Sequence, residues 1–313
     1  MSAATDSTRT FVIPDGVTTR PRARRGTRLL IWVFLAPTAI GLGLFSFVPI
    51  LGSFVLAFFR WDIISAPEFV GVDNFVDLAA NPTVRVSFVN TIAFVGAAVT
   101  VQLAVALLLA VLVQSRMPEW LRAFFRSVLF FPLILSAASV SLVMSYLFNQ
   151  EFGLVNHVLG FFGVGNIGWL TTGLGAKVVV LLVYVWQNFG FTFLLFLGGL
   201  AAIPREVYEA SSLDGANGWA QFRHVTLPLV SPTMLVASVM AIISALQIFD
   251  QPYVLSRGGP GDATRTAVMV IYESAFQQLD FGSASAIGIV LTALIMLVTA
   301  VQFQLSKRYV FSG

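Results

Sequence analysis

Residues 206–229 read EVYEASSLDGANGWAQFRHVTLPL, a polar, turn-containing segment set between two uncharged apolar runs. Its local chemistry predicts two short helices with a break between them. Pro204 suits a first helical position, Glu206 complements the positive end of the helix, and Gly215 can take the left-handed conformation that closes it. Asn217 can cap a second turn running through Trp219 to His224, which Leu227-Pro228 would end. Ala210, Ser211 and Ser212 keep one side of the first helix small, and Val207, Tyr208 and Leu213 give it an apolar edge. A helix that docks in another protein's cleft needs that combination. An ordinary solvated loop can carry the same residues, so the residues alone leave both readings open.

Outward from this segment the chain is membrane-like. With 57% hydrophobic and 11% charged residues among 313, it cannot cover itself with polar surface as a soluble globule does. Cysteine is absent, which excludes disulfides, cysteine-ligated metal and thiol catalysis. The net charge of +3 does not point to nucleic acid, because the basic residues form no stripe.

Residues 1–28 are polar, contain Pro14 and Pro21, and close in Arg20, Arg22, Arg24, Arg25 and Arg28, which predicts a disordered basic tail. The apolar run behind it is too long for a cleaved signal peptide and shows no small-residue cleavage site. The rest, 29–313, reads as one domain with six spans at about 29–59, 88–113, 127–148, 176–201, 231–249 and 283–305, and a polar loop at 202–230. The first run would reach roughly 46 Å, beyond a hydrocarbon core of about 30 Å, so it must tilt, kink or emerge, with Pro37 and Pro49 as the expected kinks and Pro49 near the outer surface. A short basic helix is expected over Arg116–Arg126, ahead of the third span. Between the last two spans, Val268, Ile271, Tyr272, Ala275 and Phe276 recur at helical spacing, as in an amphipathic helix on the outer interface.

Six spans with the tail inside sort the basic residues. Arg9, Arg20, Arg22, Arg24, Arg25, Arg28, Arg116, Arg122, Arg126, Arg205, Arg223, Lys307 and Arg308 fall inside, and Arg60, Arg85, Lys177, Arg257 and Arg265 fall outside. Thirteen of the 18 on one side agrees with the positive-inside rule and puts loop 202–230 and both termini in the cytoplasm.

Glu209-Ala210-Ser211, Asp214-Gly215-Ala216, Phe222, Val225 and Leu227-Pro228 together resemble the cytoplasmic Glu-Ala-Ala loop of permease subunits of binding-protein-dependent ABC importers. Ser211 stands for the second Ala and Val225 for the usual Ile, both small changes in volume. Residues 69–75, FVGVDNF, with Asn90-Thr91 and the segment from Tyr253 to Pro260, widen the resemblance to the sugar and glycerol-phosphate class, and to its maltose-type first permease. The resemblance implies an all-α membrane protein with six transmembrane helices, a type I importer permease fold in a bacterial cytoplasmic membrane. Glu206, Glu209, Ala210, Ser211, Asp214, Gly215 and Ala216 would then form the coupling helix that meets an ATPase. It further implies a second, non-identical permease, two ATPase subunits carrying ATP and Mg, and a solute-binding protein outside. No cofactor is implied on this chain, whose partners besides these are membrane lipids.

The chemistry-bearing residues agree with a permease that is not itself an enzyme. No Gly-x-x-x-x-Gly-Lys-Ser/Thr segment occurs, so the chain has no P-loop of its own. The interiors of the spans carry no charged residue, whereas a carrier or channel driven by an ion gradient, the alternative reading, is expected to keep one. His157 and His224 read as surface residues. For a solute path, Tyr184, Asn188 and Phe191 share one face of the fourth span with Gln187 beside them, and Gln247, Asp250 and Gln251 cluster at the outer end of the fifth. Amides and aromatic rings suit a hydroxylated solute; they equally suit hydrogen bonding between helices of a bundle.

Overall fold

A computed structural model describes residues 25–114 and 117–309. Most of the predicted tail, 1–24, lies outside the described residues, but helix begins at Arg25, so the last four residues assigned to the tail are helical. The chain divides into two compact units, Met1–Gly52 and Ser53–Gly313.

The first unit holds α1 (Arg25–Leu42), a π-turn at Gly43–Phe47 and the start of α2 (Val48–Leu56), which runs on past Gly52. Trp32–Leu56 remains one continuous helical span where kinks were expected. In the π-turn the Val48 N–H reaches back to the Gly43 carbonyl, and this widening precedes Pro49, whose ring would otherwise crowd a carbonyl one turn back.

The second unit opens with a short antiparallel pair, Phe59–Arg60 against Glu68–Phe69, and then α3 (Asp73–Ala80). The buried Asn74 side chain donates to the carbonyls of Ala57 and Phe59, fixing α3 to this hairpin. Next come α4 (Pro82–Gln114), α5 (Glu119–Phe130), a 3₁₀ turn at Phe131–Ile134, α6 (Ala137–Leu147) and α7 (Leu154–Gly160). They are followed by α8 (Gly173–Ala201), α9 (Arg205–Leu213), α10 (Gly218–Gln221), a π-turn at Phe222–Thr226 and α11 (Leu227–Leu246). The chain ends in α12 (Asp250–Ser256), α13 (Ala267–Tyr272), a π-turn at Glu273–Gln277 and α14 (Phe281–Tyr309). Among the described residues five helices are long and apolar enough to cross a membrane, and the bent pair Glu119–Ile134 and Ala137–Leu147 supplies a sixth.

That bent pair corrects the third span. The expected straight run over 127–148 turns by 96° between Ile134 and Ala137, and the basic segment ahead of it is continuous with its first half. Pro132 offers no N–H, the turn around it tightens to 3₁₀, and Leu135 and Ser136 are extended.

Helix α8 is the most buried of the spans and packs against α4, α5, α11 and α12. Its Val179, Val183, Phe193 and Phe196 are fully buried, and they share one core with Ala98, Ala106 and Ala110 of α4 and Ala237, Ala241 and Ala245 of α11. Those alanines recur at helical spacing, and such small faces let membrane helices approach closely without a hydrophobic drive from water. Helix α13 also departs from expectation. Ala267, Met269, Val270, Ser274 and Ala275 are buried, α13 packs on α14 and α4, and the predicted face member Phe276 is 64% exposed. The segment is drawn in by α4, where Asn90 Nδ2 donates to the carbonyls of Asp262 and Arg265 and Thr91 Oγ1 accepts from the Ala267 N–H.

Gly190 sits where α8 crosses the end of α5, and a Cβ there would lie 2.5 Å from the Leu129 carbonyl oxygen. That oxygen is backbone and cannot swing aside. Gly190→Ala is therefore expected to lower stability by about 1–3 kcal/mol, the usual range for overpacking. Thermal unfolding in detergent checks it against Gly198→Ala, where the added carbon meets nothing within 4 Å.

Candidate functional site

The residues predicted for the solute path meet in one cavity. Tyr184, Gln187 and Asn188 of α8 and Gln247 and Asp250 beyond the end of α11 line a space of about 250 Å³, together with Leu135, Ser244 and Gln251. Two clusters read separately along the sequence thus become one site, because α12 turns back from the end of α11 to pack against α6 and α8. Phe191 does not line it and is 39% exposed. Seven residues from Tyr184, it keeps the azimuth of that face but lies about two turns farther along the helix.

The side chains divide into two groups. Gln187 Nε2 donates to the Leu135 carbonyl at 3.0 Å, and Gln251 Nε2 donates to Gln187 Oε1 at 2.9 Å, both glutamines being buried. This chain satisfies the carbonyl that the break in the third span leaves without a helical partner. Tyr184, also buried, donates from its hydroxyl to Ser244 Oγ at 3.1 Å and packs edge-on against Phe94. Tyr184 and Gln187 thus make the bonds between elements that the helix-to-helix reading expects. Gln102 does the same between α4 and α8, donating to Thr192 Oγ1 and to the Asn188 carbonyl. Asn188, Gln247 and Asp250 differ. Asn188 Nδ2 bonds only the Tyr184 carbonyl within its own helix, Gln247 is exposed, and Asp250 belongs to no ion pair among the described residues. Sequence reasoning missed Ser244, although it stands three residues before Gln247, a spacing that puts both on one helical face.

Outside the spans, α9 follows the sequence closely. Pro204 occupies the N-cap, one position earlier than expected. At the other end Gly215, at φ +79°, donates to the Ser212 carbonyl and Ala216 donates to that of Ser211, the paired closure of a Schellman motif. Asn217 caps the next turn, its Oδ1 accepting from the Ala220 N–H at 2.9 Å. Leu227-Pro228 does not end that turn, however: helix runs on from Gly218 to Leu246. The π-turn at Phe222–Thr226 carries the Leu227 N–H to the Phe222 carbonyl and so clears the space Pro228 requires.

Helix α9 is held on one side and open on the other. Tyr208 packs on the core and its hydroxyl meets Thr226 Oγ1 at 3.1 Å, while Gln221 Nε2 donates to Ser212 Oγ at 2.8 Å. Ser211 and Ala216 are half-buried beside it; Glu206, Glu209, Ala210, Leu213, Asp214 and Gly215 are exposed, Leu213 by 90%. Glu206, Glu209, Ala210 and Leu213 fall at i, i+3, i+4 and i+7, one continuous face.

Span-length helices packed on α8, a polar cavity between α8 and the end of α11, and an anchored amphipathic helix set between those two spans define a multi-pass membrane permease. Residues 102–310 match the binding-protein-dependent transport system inner membrane component family, and the chain belongs to it. It is similar over 283 residues to the probable ABC transporter permease protein YurN of Bacillus subtilis, at 31% identity over 90% of this chain and 97% of that one. Over 284 residues it is 35% identical to the sulfoquinovosyl glycerol transport system permease protein SmoG of Agrobacterium fabrum, covering 90% and 92%. The fold matches the crystal structure of a bacterial ABC transporter involved in the import of the acidic polysaccharide alginate, with a TM-score of 0.80 over 90% of this chain and 96% of that chain at 22% identity. The chain is thus a permease subunit of an ABC importer and carries no catalytic centre of that system, which displaces the reading as a carrier or channel working alone.

The relay from Gln251 through Gln187 to Leu135 generates a quantitative expectation. Replacing either glutamine by Leu leaves a buried polar atom without its partner, at about 1–3 kcal/mol. The two losses should be less than additive, because both act on one network. A double-mutant cycle of detergent unfolding checks this; full additivity would mean that the two amides do not communicate.

Proposed function

We propose that this permease passes a sugar or a related polyol inward across the cytoplasmic membrane, as one half of a pair with a second, non-identical permease. Two ATPase subunits would dock from inside and bring the ATP and Mg, and a solute-binding protein would deliver from outside. The observation that carries this reading is the exposed face of α9: two carboxylates outside every ion pair among the described residues and a leucine, on a helix whose opposite side is bonded to the base of α11. A solvated loop has no need of such anchoring; a helix that must receive force without yielding does. The positive-inside distribution supports placing that face, with both chain ends, in the cytoplasm.

On the solute side, the Asn188 amide oxygen, the Gln247 amide and the Asp250 carboxylate supply polar groups of the kind that hydroxyls require. Sugar transport is supported by relatives whose names specify it, among them the trehalose/maltose permease MalF of Thermococcus litoralis, 30% identical over 278 residues. A solved structure of the same fold, with a TM-score of 0.80 and 23% identity, shows an alginate ABC transporter with its pentasaccharide-bound periplasmic protein.

Two substitutions test the two halves of the reading. Glu206 already occupies the first turn of α9, where a carboxylate serves the helix dipole, so Glu209 in the second turn is assigned to the ATPase. Truncating one member of a desolvated interfacial pair costs about 2–5 kcal/mol, so Glu209→Ala should weaken ATPase retention at least about tenfold on copurification, and Glu206→Ala much less. Asn188→Ala should reduce uptake in proteoliposomes while the assembled complex stays intact. Equal, small effects at the two glutamates would remove the docking assignment; unchanged uptake would remove Asn188 from the path.

A further inference from the structure

The cavity shared by α8 and α11 holds one charged side chain, and its sign has a consequence for what can pass. Its walls come from the end of the 3₁₀ turn, α6, α8, the end of α11 and α12, and no lysine, arginine or histidine lines it. Asp250 is half-buried there and belongs to none of the ion pairs among the described residues. The other polar groups at hand, Asn188, Gln247 and Ser244, are neutral and can both donate and accept. A carboxylate only accepts. It therefore favours hydroxyl and ammonium donors, and repels a second anion brought beside it, where no basic side chain among this chain's described residues lines the wall to offset it.

We infer that this cavity takes uncharged or amino-bearing polyhydroxy solutes and turns away those carrying phosphate, sulfonate or uronate groups, with Asp250 as the specificity-determining residue. The inference rests on the cavity being the solute path, as proposed above, and it narrows that path to neutral and cationic sugars. Glycerol phosphate, which the sequence resemblance admitted, is excluded. The importer of the acidic polysaccharide alginate shares the fold, so the helical frame itself does not set the charge of the cargo.

The chain lacks cysteine, so Gln247→Cys gives it a single thiol in the cavity wall. In the complex reconstituted with its partner subunits, this thiol is offered the trimethylammonium-ethyl and the sulfonatoethyl methanethiosulfonates, and modification of this chain is followed by mass. Relative to a free thiol in solution, the cationic reagent should be favoured at least about tenfold. Asp250→Asn should abolish that preference and Asp250→Glu should retain it. The same preference with and without the carboxylate overturns the charge selection and leaves the solute path standing. A thiol that neither reagent reaches removes the path itself, and the inference with it.

Discussion

A carbonyl at a break in a membrane span must find a donor inside the protein, because hydrocarbon supplies none. At Leu135 that donor is the Gln187 amide, itself fixed by Gln251. The 96° turn, the route of α6 and the return of α12 are mutually dependent through these two bonds. The void that the turn leaves beside α8 is the polar cavity, and Asn188, Gln247 and Asp250 face it while Gln187 is committed to the Leu135 carbonyl and Gln251 to Gln187. The approach of α5 to α8 at Gly190 belongs to the same arrangement, since a side chain there would push the end of α5, and the turn that follows it, away from the glutamine that holds them.

Two prolines are accommodated by one device. Pro49 and Pro228 each stand two residues after a π-turn, and in each the residue between them sends its N–H five positions back. The extra residue per turn opens the backbone where the pyrrolidine ring needs room, so both helices continue where a local rule would stop them. The result differs in importance between the two sites. At Pro49 it keeps an apolar span whole, whereas at Pro228 it joins the polar loop to the membrane helix above it without an intervening flexible joint.

What the sequence disclosed and what it withheld follow the range of the interactions concerned. Gly215 and Asn217 were legible because their bonds close within a few residues and only certain side chains make them. The spans were legible from apolar length alone. Pro228 was misread since the rule that proline ends a helix assumes four-residue hydrogen bonding throughout. The third span was read as straight through Pro132, and the carbonyl exposed by its bend is met by Gln187, more than fifty positions away, which no local pattern carries. Phe191 shows the limit of periodicity: it gives azimuth around a helix and says nothing of depth. The buried face of α13 was invisible for a similar reason, being set by Asn90 and Thr91 on a distant helix.

The unbroken run from Gly218 to Leu246 has a mechanical consequence. Its 29 residues make a rod about 43 Å long, with the Tyr208–Thr226 contact about 12 Å above its foot and Ser244 about 27 Å farther along, near its tip. A tilt of only about 5° pivoted at Thr226 would sweep Ser244 through roughly 2 Å, enough to carry its oxygen beyond hydrogen-bond reach. Such a lever multiplies displacement at the expense of force, so small strokes at α9 are enough to make or break the bond between Tyr184 and Ser244 at the other end.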